Sequence, residues 1–184
     1  MVQYVDYILG STSILTPFTV TGASTGFGRI LTELVLERGD KAIATLRRPE
    51  VLSDLTAKYP SDRLLTVKLD VTKPQEIIDA FAAAKAKFGR IDVVANNAGY
   101  GTLGEAEGAE DDVVRAMFET NFWGAANVSR EAVRFFREVN PAGVGGRLLQ
   151  FSSTAGILGM PAASYYSASK FGMFWSCLAA ICFQ

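Results

Sequence analysis

In the run SYYSASKFG, Tyr166 and Lys170 stand four residues apart. On a helix that spacing puts both side chains on one face, with about 6 Å of rise between them. A free phenol keeps its proton at neutral pH, whereas an ammonium keeps its charge. An ammonium beside a phenol favours phenolate, so the two form an acid–base couple suited to moving a proton on or off an alcohol oxygen. Tyr165 is five residues from Lys170 and points off the shared face. The same spacing also arises by chance on amphipathic helices, so it carries weight only in company.

The company begins with the run VTGASTGFGRI. Gly22, Gly26 and Gly28 follow a short apolar segment and open a helical pattern whose stripe is Ile30, Leu31, Leu34 and Val35, with Gly39 as a stop. A strand that turns through glycines into a helix makes an anion site. Backbone N–H groups and the helix dipole converge on a phosphate, and missing side chains let it approach. Gly22 suits the tight turn, Gly26 the approach of a pyrophosphate, and Gly28 the packing of helix on sheet. Ser24, Thr25 and Phe27 complete this candidate loop.

The spacing Thr21-Gly22-x-x-x-Gly26-x-Gly28, combined with Tyr166-x-x-x-Lys170, resembles the short-chain dehydrogenase/reductase family. The NNAG run from Asn96 to Gly99 follows the apolar IDVV, as the family's fourth strand and its loop do. Asn121 lies in a long helical stretch, where the family keeps a helix-interrupting asparagine. Ser153, in FSSTAG, precedes Tyr166 by thirteen residues, the family's usual distance. Asp70, with Val71 after it, ends LLTVKL where members hold the adenine ring. The match runs from about Phe18 to Gly172, leaving 1–17 as an unmatched N-terminal segment and 18–184 as a single dinucleotide-binding and catalytic domain.

The resemblance implies hydride transfer between a nicotinamide and a carbonyl or secondary alcohol. It assigns proton transfer to Tyr166, promotion of that transfer and a hold on the nicotinamide ribose to Lys170, a hydrogen bond to the substrate oxygen to Ser153, and a relay water to Asn121. The implied cofactor set is Gly22, Ser24, Thr25, Gly26, Phe27, Gly28, Arg47, Arg48, Asp70, Val71, Asn97, Ala98 and Gly99, with Tyr166 and Lys170. Cofactor choice is read after AIATL. NAD-preferring relatives place an acid there for the ribose hydroxyls. Here Leu46 precedes Arg47 and Arg48. A guanidinium can bind a 2′-phosphate through two parallel hydrogen bonds, so the expectation is NADP(H) over NAD(H). Thr25 stands where many NADP-dependent relatives carry a second basic residue. Apolar Tyr100, Leu103, Leu158 and Met160 point to a lipophilic substrate.

The elements that must position these residues alternate along the chain. AIATL, LLTVKL, IDVVAN and RLLQF read as strands two to five, with helical patterns between them. Thr72 and Gln75 read as a capping box with Pro74 in the first turn, and that helix stops near Gly89. Asp111 to Val139 is a long helical region, and Ser164 opens the helix of Tyr166. Alternation predicts a doubly wound parallel sheet with helices on both faces, and the family resemblance implies the strand order 3-2-1-4-5. Pro17 lacks a ladder donor, so the first strand is expected to start at Phe18.

With 184 residues, 49% of them hydrophobic, the chain can bury one sizeable core. A net charge of −1 gives no reason to expect nucleic acid or an anionic membrane as partner. The absence of histidine removes His-based triads and most zinc sites, and no metal is expected. Cys177 and Cys182 read as reduced, buried thiols in an apolar tail too short to span a bilayer. The N-terminus lacks the basic region of a signal peptide, giving a cytoplasmic expectation.

Members of the family usually run longer, through strands six and seven and a substrate-covering loop. The expectation is therefore a C-terminally truncated member, its fifth strand an exposed edge. A homo-oligomer is implied for a full-length member and not for this shorter chain. Three functions follow: an active NADP(H)-dependent oxidoreductase, a cofactor-binding remnant without turnover, and an epimerase of the superfamily's extended branch. The glycine spacing argues against the last, whose second glycine typically comes one residue earlier.

Overall fold

The computed structural model describes residues 15–181, with side chains as far as Ser176. The side chains of Cys177 and Cys182 lie outside the described residues. Five parallel strands, β1 (Pro17–Thr21), β2 (Lys41–Leu46), β3 (Leu64–Lys68), β4 (Val93–Asn96) and β5 (Arg147–Gln150), form one sheet in the order β3-β2-β1-β4-β5. The helices are α1 (Gly26–Glu37), α2 (Ser53–Lys58), α3 (Pro74–Phe88), α4 (Asp111–Phe118), α5 (Ala125–Glu138) and α6 (Ser164–Ile181). The fold is doubly wound, as the alternation predicted.

The period of two in the strands divides the apolar residues between two cores. Phe18, Val20, Ala42, Ala44, Leu46, Val93 and Ala95 join Leu31, Val35 and Leu36 of α1 on one face. Ile43 and Val94 point the other way, to Ile77, Ala80 and Phe81 of α3 and Val128, Ala132 and Phe135 of α5. Both faces of the central strands are therefore dry, which suits a parallel sheet. The Phe81 and Phe135 rings meet edge to face, with centroids 5.7 Å apart.

Two local expectations need correction. β1 begins at Pro17, not Phe18. Proline is tolerated in the first position of a strand, and the Pro17 carbonyl accepts the Asp92 N–H at 3.0 Å. The capping box at Thr72 does not form. The N-cap of α3 is Lys73, without a side-chain cap. The Thr72 hydroxyl donates instead to Asp70 at 2.8 Å, and Gln75 donates to Asp79 at 2.9 Å. Pro74 does open the helix, and Gly89 closes it at φ 77°.

The long helical region is also not one helix. A π turn, Glu119–Gly124, separates α4 from α5. Gly124 is needed there because a Cβ would lie 2.8 Å from Val71 Cγ2. At the far end of α5, Asn140 imitates a peptide unit: its amide accepts from Ile91 N–H at 3.1 Å and donates to the Ile91 carbonyl at 2.6 Å. β5 is the edge of the sheet among the described residues. Phe81→Ala should cost about 3–5 kcal/mol, because it empties the contact between α3 and α5. Urea unfolding measures this, and a loss under about 1 kcal/mol would contradict the packing described.

Candidate active site

Parallel strands bring all their C-terminal ends to one edge, and the chain reverses its winding between β1 and β4. Thr21, the last residue of β1, binds that junction. Its hydroxyl accepts the N–H groups of Asn97 at 2.9 Å and Ala98 at 3.0 Å. Asn97 returns a bond from its side-chain amide to the Thr21 carbonyl at 2.8 Å. The glycine loop and the NNAG loop are thereby held as one piece. Asn96 buries its own amide beneath them, donating to the Ala125 carbonyl at 2.7 Å and to Gln150 at 3.0 Å.

Within the glycine loop the three glycines do three different things. Gly22 takes φ 68°, a turn that L side chains resist. Gly26 takes φ 56° and faces open space where a Cβ would be. At Gly28 a Cβ would meet the Gly22 carbonyl at 2.3 Å and the Asn97 amide at 2.6 Å, so α1 approaches the loop with no side chain to spare. The α1 N-cap, Thr25, makes no side-chain cap, and the first turn carries no acidic residue. Ser24 is half-buried beside it, and Phe27 is exposed on the crest.

On the other side of the junction, α6 carries Tyr166 and Lys170. Lys170 is 7% exposed, and burial pushes its ammonium below the ordinary lysine range. Its Nζ donates to the Phe151 carbonyl at 3.0 Å. A Cβ on Gly99 would lie 3.3 Å from that Nζ and 3.0 Å from Asn121 Oδ1, so the NNAG glycine admits both side chains. Tyr166 is half-buried with its ring against Gly101, and its hydroxyl has no hydrogen-bond partner among the described residues. Tyr165 faces elsewhere, into a second cleft of about 470 Å3 shared with Leu103, Val113 and Val114.

Asn121 sits inside the π turn, 1% exposed. Its amide accepts the Tyr100 N–H at 3.0 Å, donates to the Tyr100 carbonyl at 2.7 Å, and donates to Ser169 at 3.1 Å. The side chain is committed to protein partners, so a relay water would have to rest on main-chain oxygen. Ser153 is half-buried and caps the short turn Thr154–Gly156, accepting from Ala155 N–H at 3.2 Å. That turn leads to Ala162, at φ 56° with a side chain, whose carbonyl accepts the Gly104 N–H at 2.8 Å. The bond ties the loop after NNAG to the loop before Tyr166.

At the outer ends of β2 and β3 lies a cleft of about 650 Å3 lined by Arg47, Asp70, Thr72, Lys73, Tyr100, Ala116, Glu119 and Thr120. Asp70 accepts from the Thr72 N–H and hydroxyl, while its own N–H donates to Glu76 at 2.7 Å. Burial works against the Asp70 charge, yet the Thr72 donors and the nearby Arg47 and Lys73 hold its carboxyl below the usual range. Val71 is buried behind it, and Arg48 is exposed outside the cleft lining.

The sequence reading missed four contributors. Thr21 was quoted only as spacing, and Ser169 sat unremarked within the helix motif, although its i,i+3 position from Tyr166 could have flagged the 2.7 Å bond it donates to that residue's carbonyl. Gln150 gave no signal beyond being polar at the end of an apolar strand, and Asn96, although it opens the NNAG run, gave none of its buried amide bonds.

The model of the short chain dehydrogenase family matches residues 18–179. An uncharacterized oxidoreductase of Schizosaccharomyces pombe is 40% identical over 154 residues, which are 84% of this chain and 50% of that protein. An NADPH-dependent 1-acyldihydroxyacetone phosphate reductase of Saccharomyces cerevisiae is 34% identical over 153 residues, 82% of this chain and 50% of that one. The crystal structure of a short-chain dehydrogenase from Streptomyces avermitilis superposes with a TM-score of 0.83 at 36% identity, covering 92% of this chain and 60% of the other. The chain spans about half the length of the curated relatives it matches.

The glycine geometry makes a stability test. Gly28→Ala should cost about 1–3 kcal/mol, because the Cβ must push the loop from Asn97. Gly104→Ala, with open space at the Cβ, should stay within about 0.5 kcal/mol. Denaturant titration of the two variants checks the contrast, and equal losses would contradict it.

Proposed function

The chain belongs to the short-chain dehydrogenase/reductase family, and from that premise we propose that it is the cofactor-binding and catalytic part of an NADP(H)-dependent oxidoreductase. Its substrate would be the carbonyl or secondary alcohol of a small lipophilic molecule. The observation that carries this reading is the meeting of Lys170 and Asn121 at Gly99 and of Tyr166 at Gly101, on the loop that Thr21 ties to the glycine turn. The residues fit a dinucleotide. An uncapped helix end without acidic neighbours, and open space over Gly26, suit a pyrophosphate.

Asp70 keeps one carboxylate oxygen unbonded for the adenine side, and Val71, Asn97, Ala98 and Gly99 would complete the cofactor's surroundings. Ser24, Thr25 and Phe27 would line the pyrophosphate turn. Arg47 and Arg48 follow β2 where an acid would serve NAD(H), and the yeast relative named above is NADPH-dependent. When bound, the nicotinamide supplies or accepts the hydride. Tyr166 gives a proton to the oxygen of the carbonyl being reduced, or takes one from an alcohol being oxidised. Lys170, held by the Phe151 carbonyl, promotes that transfer and holds the ribose. Ser153 steadies the substrate oxygen. Asn121 fixes the Tyr100 main chain, leaving a main-chain oxygen to hold a relay water.

Support for a lipophilic substrate comes from the site's mouth, where Leu103, Ile157, Leu158 and Met160 are exposed, Leu103 by 79%. The same uncovered mouth favours a second reading, in which these residues bind the cofactor without turnover. Two experiments test the proposal. In a protein extended to the length of its relatives, Tyr166→Phe should lower ketone reduction by about 10²–10⁴-fold while NADPH still binds. Tyr165→Phe should keep most activity. A reversal of these two would overturn the register of α6, and absence of turnover in the unmutated protein would select the second reading.

Arg47→Asp should weaken NADPH binding by about 1.5–3 kcal/mol and leave NADH little changed, because an acid replaces a phosphate partner. Fluorescence titration with both cofactors reads the difference. Equal losses would remove Arg47 as the discriminator.

A further inference from the structure

We propose that Lys73 is a second determinant of cofactor choice, acting with Arg47 as a two-cation clamp on the 2′-phosphate of the adenosine ribose. This rests on the NADP(H) reading above and adds a residue from a different loop to it. A phosphate monoester carries about −1.5 to −2 charges at pH 7, more than one guanidinium neutralises. The cleft already contains the carboxylates of Asp70 and Glu119, so an added dianion meets like charge there. Lys73 lines the same cleft as Arg47. Both also lie near enough to Asp70 to help hold its carboxyl down. Neither side chain makes a hydrogen bond or an ion pair among the described residues, although the Lys73 N–H donates to the Asp70 carbonyl at 2.9 Å.

The fold does not account for a lysine at this position. Lys73 is the N-cap of α3, where Ser, Thr, Asp or Asn would cap and where a cation opposes the helix dipole. Elsewhere α3 obeys the dipole, with Glu76 in its first turn and Lys85 and Lys87 in its last. Glu76 is occupied by Lys68 at 2.6 Å and by the Asp70 N–H, so it does not neutralise Lys73. A residue that breaks a local rule while exposed on a cleft is placed for what enters the cleft.

The test uses the 184-residue chain with adenosine 2′,5′-bisphosphate and adenosine 5′-monophosphate, probes that need only the adenosine cleft. Calorimetric titration of Lys73→Met should show the bisphosphate weakened roughly five- to thirtyfold and the monophosphate changed less than about twofold. Lys73→Arg should retain the preference, and raising the salt should shrink it. Lys73 is exposed, so loss of fold does not confound these variants; circular dichroism verifies it. Equal loss of both probes, as expected if Lys73 only offsets Asp70, would overturn the proposal, as would no loss. If Arg47→Met is selective for the bisphosphate and Lys73→Met is not, the clamp fails and the NADP(H) reading stands. If the unmutated chain binds both probes equally, both readings fail.

Discussion

The Thr21 hydroxyl is the small contact on which the site depends. One oxygen takes two backbone N–H groups from the loop after β4, and Asn97 answers with its amide to the β1 carbonyl. Thr21 is fully buried and its partners Asn97 and Ala98 half-buried, so losing these bonds would leave polar groups short of water. Its effect is geometric. The glycine turn that opens α1 and the loop that passes Gly99 beneath Lys170 cannot shift independently. The glycine turn and the helix that carries Tyr166 and Lys170, far apart in sequence, are thus held in one frame by the topology's reversal point.

The second constraint is the burial of charge and amide around that frame. Lys170 gives up solvent and is repaid by a single carbonyl, that of Phe151, and by its approach to a glycine without a Cβ. Asn121 reaches the same place from a π turn, which moves the helical ladder by a residue and aims the amide at Tyr100 instead of along the helix. Gly124 makes the turn possible by yielding space to Val71, itself beside Asp70. The cleft of Arg47 and Asp70 and the candidate catalytic helix therefore share a wall, and the wall is α4 with its π turn.

Most of this was legible because the chemistry needs rare spacings. The glycines, NNAG, Ser153 and the Tyr166–Lys170 pair announce themselves, and alternating strands with helical stripes give the doubly wound parallel sheet. What was not legible came from competition between equivalent local partners. Thr72 could cap α3 or serve Asp70, and only the folded β3 end decides that the carboxylate wins. Pro17 reads as a strand breaker until its position at the very first rung is known. Lys73 is silent in sequence, since its meaning lies in an arginine twenty-six residues away across a cleft.

The bond between Gly104 and Ala162 joins the two loops at the mouth, and Ala162 adopts a left-handed backbone to accept it. A non-glycine residue in that region costs on the order of 1 kcal/mol or more. A backbone hydrogen bond contributes about the same net amount. Parting the loops relaxes the alanine as it breaks the bond, so the two changes nearly cancel. The two loops are joined by a clasp close to neutral in free energy, and its Gly104 N–H can be exchanged to an entering acceptor at little cost to the scaffold.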